Sequence, residues 1–178
     1  ICNKEEAIDI AGVFGGLDSG STETTKDVFL ESAYFHPTWV RKTARRHGLN
    51  TDASFRFERG IDPNATIYCL KLAALMVKDL AGGTIFEIKD VCAAPAKDFR
   101  VELAYEKVNS LIGKVIPVDT IKSIVQAGNE IVDETAEGLT LDVPPYRVDV
   151  QRDCDVIEDI LRIYGYNNVE IPTNLESC

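Results

Sequence analysis

The sequence predicts an α+β chain, in which mixed strands and helices are followed by a winged-helix-like α+β module. Three observations carry that expectation. Short apolar runs bounded by Gly, Pro and Asp alternate with longer stretches of helical period. Residues 93–98, Ala-Ala-Pro-Ala-Lys-Asp, separate two patterned halves as a linker would. The second half compresses two helices, a hairpin and a third helix into residues 105–164.

Residues 7–13 read as a short strand that runs into a loop bearing Gly12, Gly15, Gly16 and Gly20. Residues 27–34 read as a second strand, with Val28 and Leu30 on one face. Pro37 heads a helix over 38–47, and Gly48 sits where a C-terminal cap belongs. Asp62-Pro63 opens the longest helix, which runs to about Ala81 and stops at Gly82-Gly83. Its dense apolar residues, Leu70, Leu72, Leu75, Met76 and Leu80 among them, predict burial. Residues 84–91 read as another strand. Beyond the linker come a strand over 99–103 and helices over 105–112 and 118–127. Strands over 130–133 and 139–143 follow, joined by a Glu137-Gly138 turn, and the last helix covers 153–164.

Composition narrows the function. The 178 residues include 45 % apolar and 27 % charged residues, which excludes a disordered or collagen-like chain and suits one domain or two small ones. No apolar run is long enough to span a membrane. The chain opens at Ile1 without an initiator Met or a signal-like core, which suggests an excerpt of something longer. Cys2, Cys69, Cys92, Cys154 and Cys178 are odd in number and form no Cys-x-x-Cys pair, so a reducing cytosol is the default compartment.

Net charge is −10, against a generic nucleic-acid binder, but its distribution is uneven: −2 over residues 1–96 and −8 over 97–178. Arg41, Lys42, Arg45, Arg46, Arg56 and Arg59 fall within twenty residues that hold only Asp52 and Glu58 as acids. Positions 41, 42, 45 and 46 form one stripe on a helix, suited to phosphates or to local acids, with no aromatic stacking platform interleaved. The glycine loop lacks the Gly-x-x-x-x-Gly-Lys-Ser/Thr pattern of a nucleotide cradle. Glu31 interrupts an apolar strand, at an exposed edge or as an acceptor in a pocket. His36 and His47 have no nucleophile–base surroundings. Asp155, Glu158 and Asp159 share one helical face near Asp149, an oxygen-only set that suits either Mg²⁺ or neutralisation by arginine on a solvated face.

Several runs resemble the beta chain of bacterial phenylalanyl-tRNA synthetases. They are Ile10-Ala-Gly-Val-Phe-Gly-Gly, Leu30-Glu-Ser-Ala-Tyr-Phe, and the long block from Ala44-Arg-Arg-His-Gly-Leu to Glu58-Arg-Gly-Ile-Asp-Pro63. Pro144-Pro-Tyr-Arg-Val-Asp149 and Glu158-Asp-Ile-Leu-Arg-Ile-Tyr-Gly-Tyr-Asn continue the resemblance in order.

The resemblance implies that residues 1–95 are the C-terminal part of the merged third and fourth domain, which edits and binds tRNA. It implies a winged-helix-like fifth domain over 96–172 and a tail over 173–178. It places Gly15, Glu31, Thr51 and Ala53 in a pocket that hydrolyses tyrosine mischarged on phenylalanine tRNA, and Arg41, Lys42, Arg45 and Arg46 against tRNA. The family's Asp-x5-Asp-x2-Glu-Glu ligand pattern for Mg²⁺, shared with the alpha chain, falls on Asp149, Asp155, Glu158 and Asp159, with Asp in place of the last Glu. It further implies a cytoplasmic heterotetramer of two alpha and two beta chains that spends ATP outside this segment. The competing expectation is a non-catalytic RNA-binding or subunit-assembly module.

Overall fold

The computed structural model describes residues 1–92, 94 and 96–170. It divides into two compact units, Ile1–Ala96 and Lys97–Cys178, mixing helices with small antiparallel sheets. The expected tail over 173–178 lies outside the described residues, as do Ala93 and Pro95 of the expected linker.

In the first unit, β1 (Asp9–Ile10) and β2 (Phe14–Gly15) form a tight antiparallel hairpin, with Asp9 opposite Gly15. Gly12 turns it with a φ of 68°, and an added Cβ there would lie 2.7 Å from the Phe35 ring. Only glycine meets both demands. Helix α1 (Pro37–His47) starts on Pro37 and ends on left-handed Gly48, whose N–H caps the Ala44 and Arg45 carbonyls. A short helix α2 (Asp52–Phe57) follows. Asp62 then caps a 3₁₀ turn, Pro63–Ala65, that leads into α3 (Thr66–Ala81). Val13, Val40 and Ala44 are buried with Ile10, Phe35, Leu49 and Phe57 around them, and the Phe35 and Phe57 rings meet edge to face at 5.0 Å.

Four expectations fail in this unit, wholly or in part. Of the strand expected over 7–13 only Asp9–Ile10 forms a ladder, with Ala7 in an isolated bridge to Cys2, and residues 27–34 and 84–91 form no strand. An extended segment becomes a strand only when its backbone N–H and C=O groups find a partner, and β propensity does not supply one. Helix α3 forms as expected but buries none of its residues, leaving Leu72, Leu75, Met76 and Leu80 exposed.

The second unit has a real core. Strands β3 (Phe99–Ala104), β4 (Glu130–Glu134) and β5 (Gly138–Val143) make an antiparallel sheet in the order β3-β5-β4. Leu139, Leu141 and Val143 alternate inward on the central strand, and Val101 and Leu103 point inward beside them on β3. Helices α4 (Tyr105–Ile112), α5 (Val118–Val125) and α6 (Asp153–Tyr164) cover that face with Val108, Ile112, Ile121, Val125, Val156 and Ile160. The Asn109 side chain accepts the Ile116 N–H at 2.9 Å and so holds the turn between α4 and α5.

Candidate functional site

The hairpin that carries Gly15 is tied directly to α2. Thr51, the N-cap of α2, donates its hydroxyl to the Val13 carbonyl at 2.6 Å and accepts the Ser54 N–H at 3.0 Å. Ser54 completes a reciprocal box, its hydroxyl accepting the Thr51 N–H at 3.0 Å while itself buried. Gly16 closes against the hairpin so tightly that a Cβ would sit 1.9 Å from the Ile8 carbonyl oxygen, whereas a Cβ at Gly15 would meet nothing within 4 Å. The Cβ direction at Gly15 therefore opens onto free space, and Ala53, two residues beyond Thr51, is exposed.

Glu31 is placed differently. It lies exposed on a segment that belongs to no strand or helix, not inside an apolar strand. That segment is anchored at its neighbours: the Ser32 hydroxyl donates to the Thr66 carbonyl at 2.8 Å, and Phe35 packs on Phe57. Thr51 is thus tied to the hairpin that carries Gly15, and the segment that carries Glu31 reaches the same hairpin through Phe35 at the Gly12 turn.

Val40 and Ala44 turn α1 onto the small core, which directs Arg41, Lys42, Arg45 and Arg46 into solvent. None of the four makes an ion pair among the described residues. The stripe is not free of aromatics, contrary to expectation. Trp39 is 65 % exposed, and Lys42 Nζ stands 5.0 Å from its ring centroid. Just past α2, Arg59 sets its guanidinium 3.5 Å from the ring centroid of Phe55, which is 51 % exposed. Helix α2 and these pairs are missed by the sequence reading, although Thr51-x-x-Ser54, Trp39-x-x-Lys42 and Phe55-x-x-x-Arg59 spell them out.

The four carboxylates near α6 do not converge. Asp155 accepts the Arg152 guanidinium at 2.9 Å and the Gln151 and Arg152 N–H groups at 3.2 and 2.9 Å. The Arg152 side chain, helped by those backbone donors and opposed by partial burial, holds the Asp155 carboxyl down at about 2. Glu158 pairs with Arg162 at 2.6 Å, Asp159 pairs with Arg147, and Asp149 is exposed. Among the described residues no group of three His, Cys, Asp or Glu side chains is placed to hold a metal ion. Arginines neutralise three of the four carboxylates in this arrangement.

Comparison with known proteins places these features. A B3/4 domain model matches residues 1–82, and a tRNA synthetase B5 domain model matches residues 101–166. Over 99 % of its length the chain is 86 % identical to the phenylalanine–tRNA ligase beta subunit of a Bacteroides fragilis strain. The chain belongs to the phenylalanine–tRNA ligase beta subunit family. It is 51 % identical over 96 % of its length to the Porphyromonas gingivalis member and 38 % identical over 97 % to that of Pectobacterium atrosepticum. The chain spans about a fifth of these beta subunits, 22 %, 21 % and 22 % of their lengths. Within the family's B3/4 match lie Gly15, Glu31, Thr51, Ala53 and all of α1, and within the B5 match lie Asp149, Asp155, Glu158 and Asp159. No helix among the described residues is long and apolar enough to cross a membrane.

Proposed function

We propose that this chain is the part of a phenylalanine–tRNA ligase beta subunit that holds tRNA for hydrolytic editing and docks the alpha chain. Residues 1–95 act as the C-terminal part of the editing domain, 96–172 as the fifth domain, and 173–178 as a tail. The complete cytoplasmic enzyme, two alpha and two beta chains, attaches phenylalanine to its tRNA with ATP bound elsewhere than in this segment. The observation that carries the reading is the outward, acid-free stripe of Arg41, Lys42, Arg45 and Arg46 on a chain of net charge −10. Phosphate is the ligand that such a stripe recognises.

The editing chemistry follows from what the residues can offer. A site selected for phenylalanine rejects tyrosine poorly, because the ring differs only by a hydroxyl, so a second site must read that hydroxyl. Glu31 supplies an acceptor for the phenol, the open backbone at Gly15 approaches the same oxygen, and Ala53 leaves room for the ring. Thr51 holds the junction in shape, because its hydroxyl is already committed to Val13 and Ser54. Mg²⁺ at Asp149, Asp155, Glu158 and Asp159, shared with the alpha chain, requires Arg152, Arg162 and Arg147 to release their carboxylates.

Deacylation by the assembled full-length enzyme tests the reading. Glu31→Ala should lower tyrosyl-tRNA hydrolysis and shrink the ratio of tyrosyl to phenylalanyl rates. Both rates collapsing at an unchanged ratio would make Glu31 a general base instead. The exposed position of Glu31 favours a second reading, a non-catalytic RNA-binding or assembly module. Deacylation that is indifferent to Glu31→Ala, with tRNA binding intact, selects that one.

A further inference from the structure

Among the aromatic rings that the first unit leaves exposed, Trp39 and Phe55 each carry a cation. Phe35 and Phe57 satisfy each other inside, whereas Trp39 and Phe55 stay largely exposed under Lys42 and Arg59. On α1, Arg46 follows Trp39 by seven residues, close to two helical turns, so ring, Lys42 and Arg46 share one side of the helix. Glu58, one of two acids in the segment, is taken by Arg59 at 3.0 Å. Positive charge alone would serve a duplex, whose phosphates lie outside and whose base faces are stacked away. An exposed indole among those charges adds a π-face that only an unpaired base can cover.

We propose that the exposed side of α1 is a docking surface for unpaired nucleotides of RNA, with a base stacked on Trp39 and phosphates on Arg41, Arg45 and Arg46. Phe55 of α2, with the Arg59 guanidinium 3.5 Å from its ring centroid, offers a second aromatic–cation pair to a base. The inference deepens the tRNA-binding reading of the stripe and rests on it. It assigns to Trp39 a role in selecting single-stranded over paired RNA, which charge cannot provide.

The test uses the assembled full-length enzyme, phenylalanine tRNA, and one short RNA offered either single-stranded or annealed to its complement. Trp39→Ala should weaken single-strand binding by roughly 5- to 150-fold, the worth of one stacked base. Duplex affinity and the slope of log affinity against log salt should not move. Trp39→Phe, which keeps a ring, should restore most of that affinity, and unchanged circular dichroism certifies both variants as folded. Arg45→Ala with Arg46→Ala should lower the slope by about 0.7 for each phosphate of the single strand that is no longer neutralised. Equal weakening of both probes by Trp39→Ala, or none, overturns the stacking role even when the arginine variant behaves as expected. An arginine variant with unchanged tRNA affinity and slope overturns the underlying stripe reading, and the proposal falls with it.

Discussion

Replacing Arg147 with Met should cost the second unit about 2 kcal/mol, because the guanidinium ties the turn after α5 to α6. One Nη donates to Asn129 Oδ1 at 3.1 Å, just beyond α5, and the other donates to Asp159 on α6. The group abuts Gly128, where an added Cβ would be 2.8 Å from its Nη1, so any larger residue there would displace it. Both members of the pair are only 20 % exposed, which removes much of the solvent screening that makes surface ion pairs worthless. Loss of a charged hydrogen bond at such a site costs about 1.5–3 kcal/mol and of a neutral one about 0.5–1.5 kcal/mol. Arg162, 3.8 Å from the same carboxylate, recovers part of this. Met keeps the apolar stem, so packing is not confounded.

With a urea dependence of about 1 kcal/mol/M, the midpoint should fall by about 2 M. Far-UV circular dichroism must follow the transition, since the single tryptophan, Trp39, reports only the first unit. A cycle with Asp159→Asn should return a coupling of at least about 1 kcal/mol. Coupling below about 0.3 kcal/mol would refute the lock and return Asp159 to the pool of carboxylates open to a cation.

Two other outcomes are expected. Asp142 and Arg100 face each other across β5 and β3, and the guanidinium hydrogen bond holds the Asp142 carboxyl below its usual value. The stability this contributes is complete above about pH 4, the unfolded value, and is lost as pH falls through the lower folded one, so Asp142→Asn should flatten the acid limb of a stability–pH profile there. An unchanged acid limb would show the pair to be idle. Thr51→Val deletes the N-cap acceptor and the bond to Val13 while keeping shape, and should cost about 1–2 kcal/mol in Trp39-detected unfolding while shifting the Gly15 amide resonance. A shift confined to α2, with Gly15 unmoved, would detach Thr51 from the hairpin.

The second unit was legible almost throughout because its signals are local and agree with one another. Alternating Leu139, Leu141 and Val143, the Glu137-Gly138 turn and the 3.6-residue period of α6 each mark an element whose partners lie within the same unit. The first unit was less legible. Residues 27–34 and 84–91 have strand composition but no pairing partner, and α3 has a core helix's apolar content but no core. For the candidate site, Thr51 and Gly15 could be named from the sequence, but their connection through the Val13 carbonyl spans 38 residues and has no sequence period.

Chain order and side-chain chemistry alone marked the ends of several helices, since Pro37, Gly48, Asp62 and Gly113 act on backbone groups within a turn of themselves. They also settled the family, because identity at many positions needs no coordinates. Folding in three dimensions chose the rest. It placed β5 rather than β3 or β4 at the centre of the sheet, through pairing between strands some forty residues apart. It gave Asp155, Glu158 and Asp159 to Arg152, Arg162 and Arg147, although the helical face they share equally suited a cation. It also left Trp39 outside and drew Val40 inside, one residue apart. Helical period relates neighbours on one element, but burial and charge pairing depend on what the other elements bring to that face.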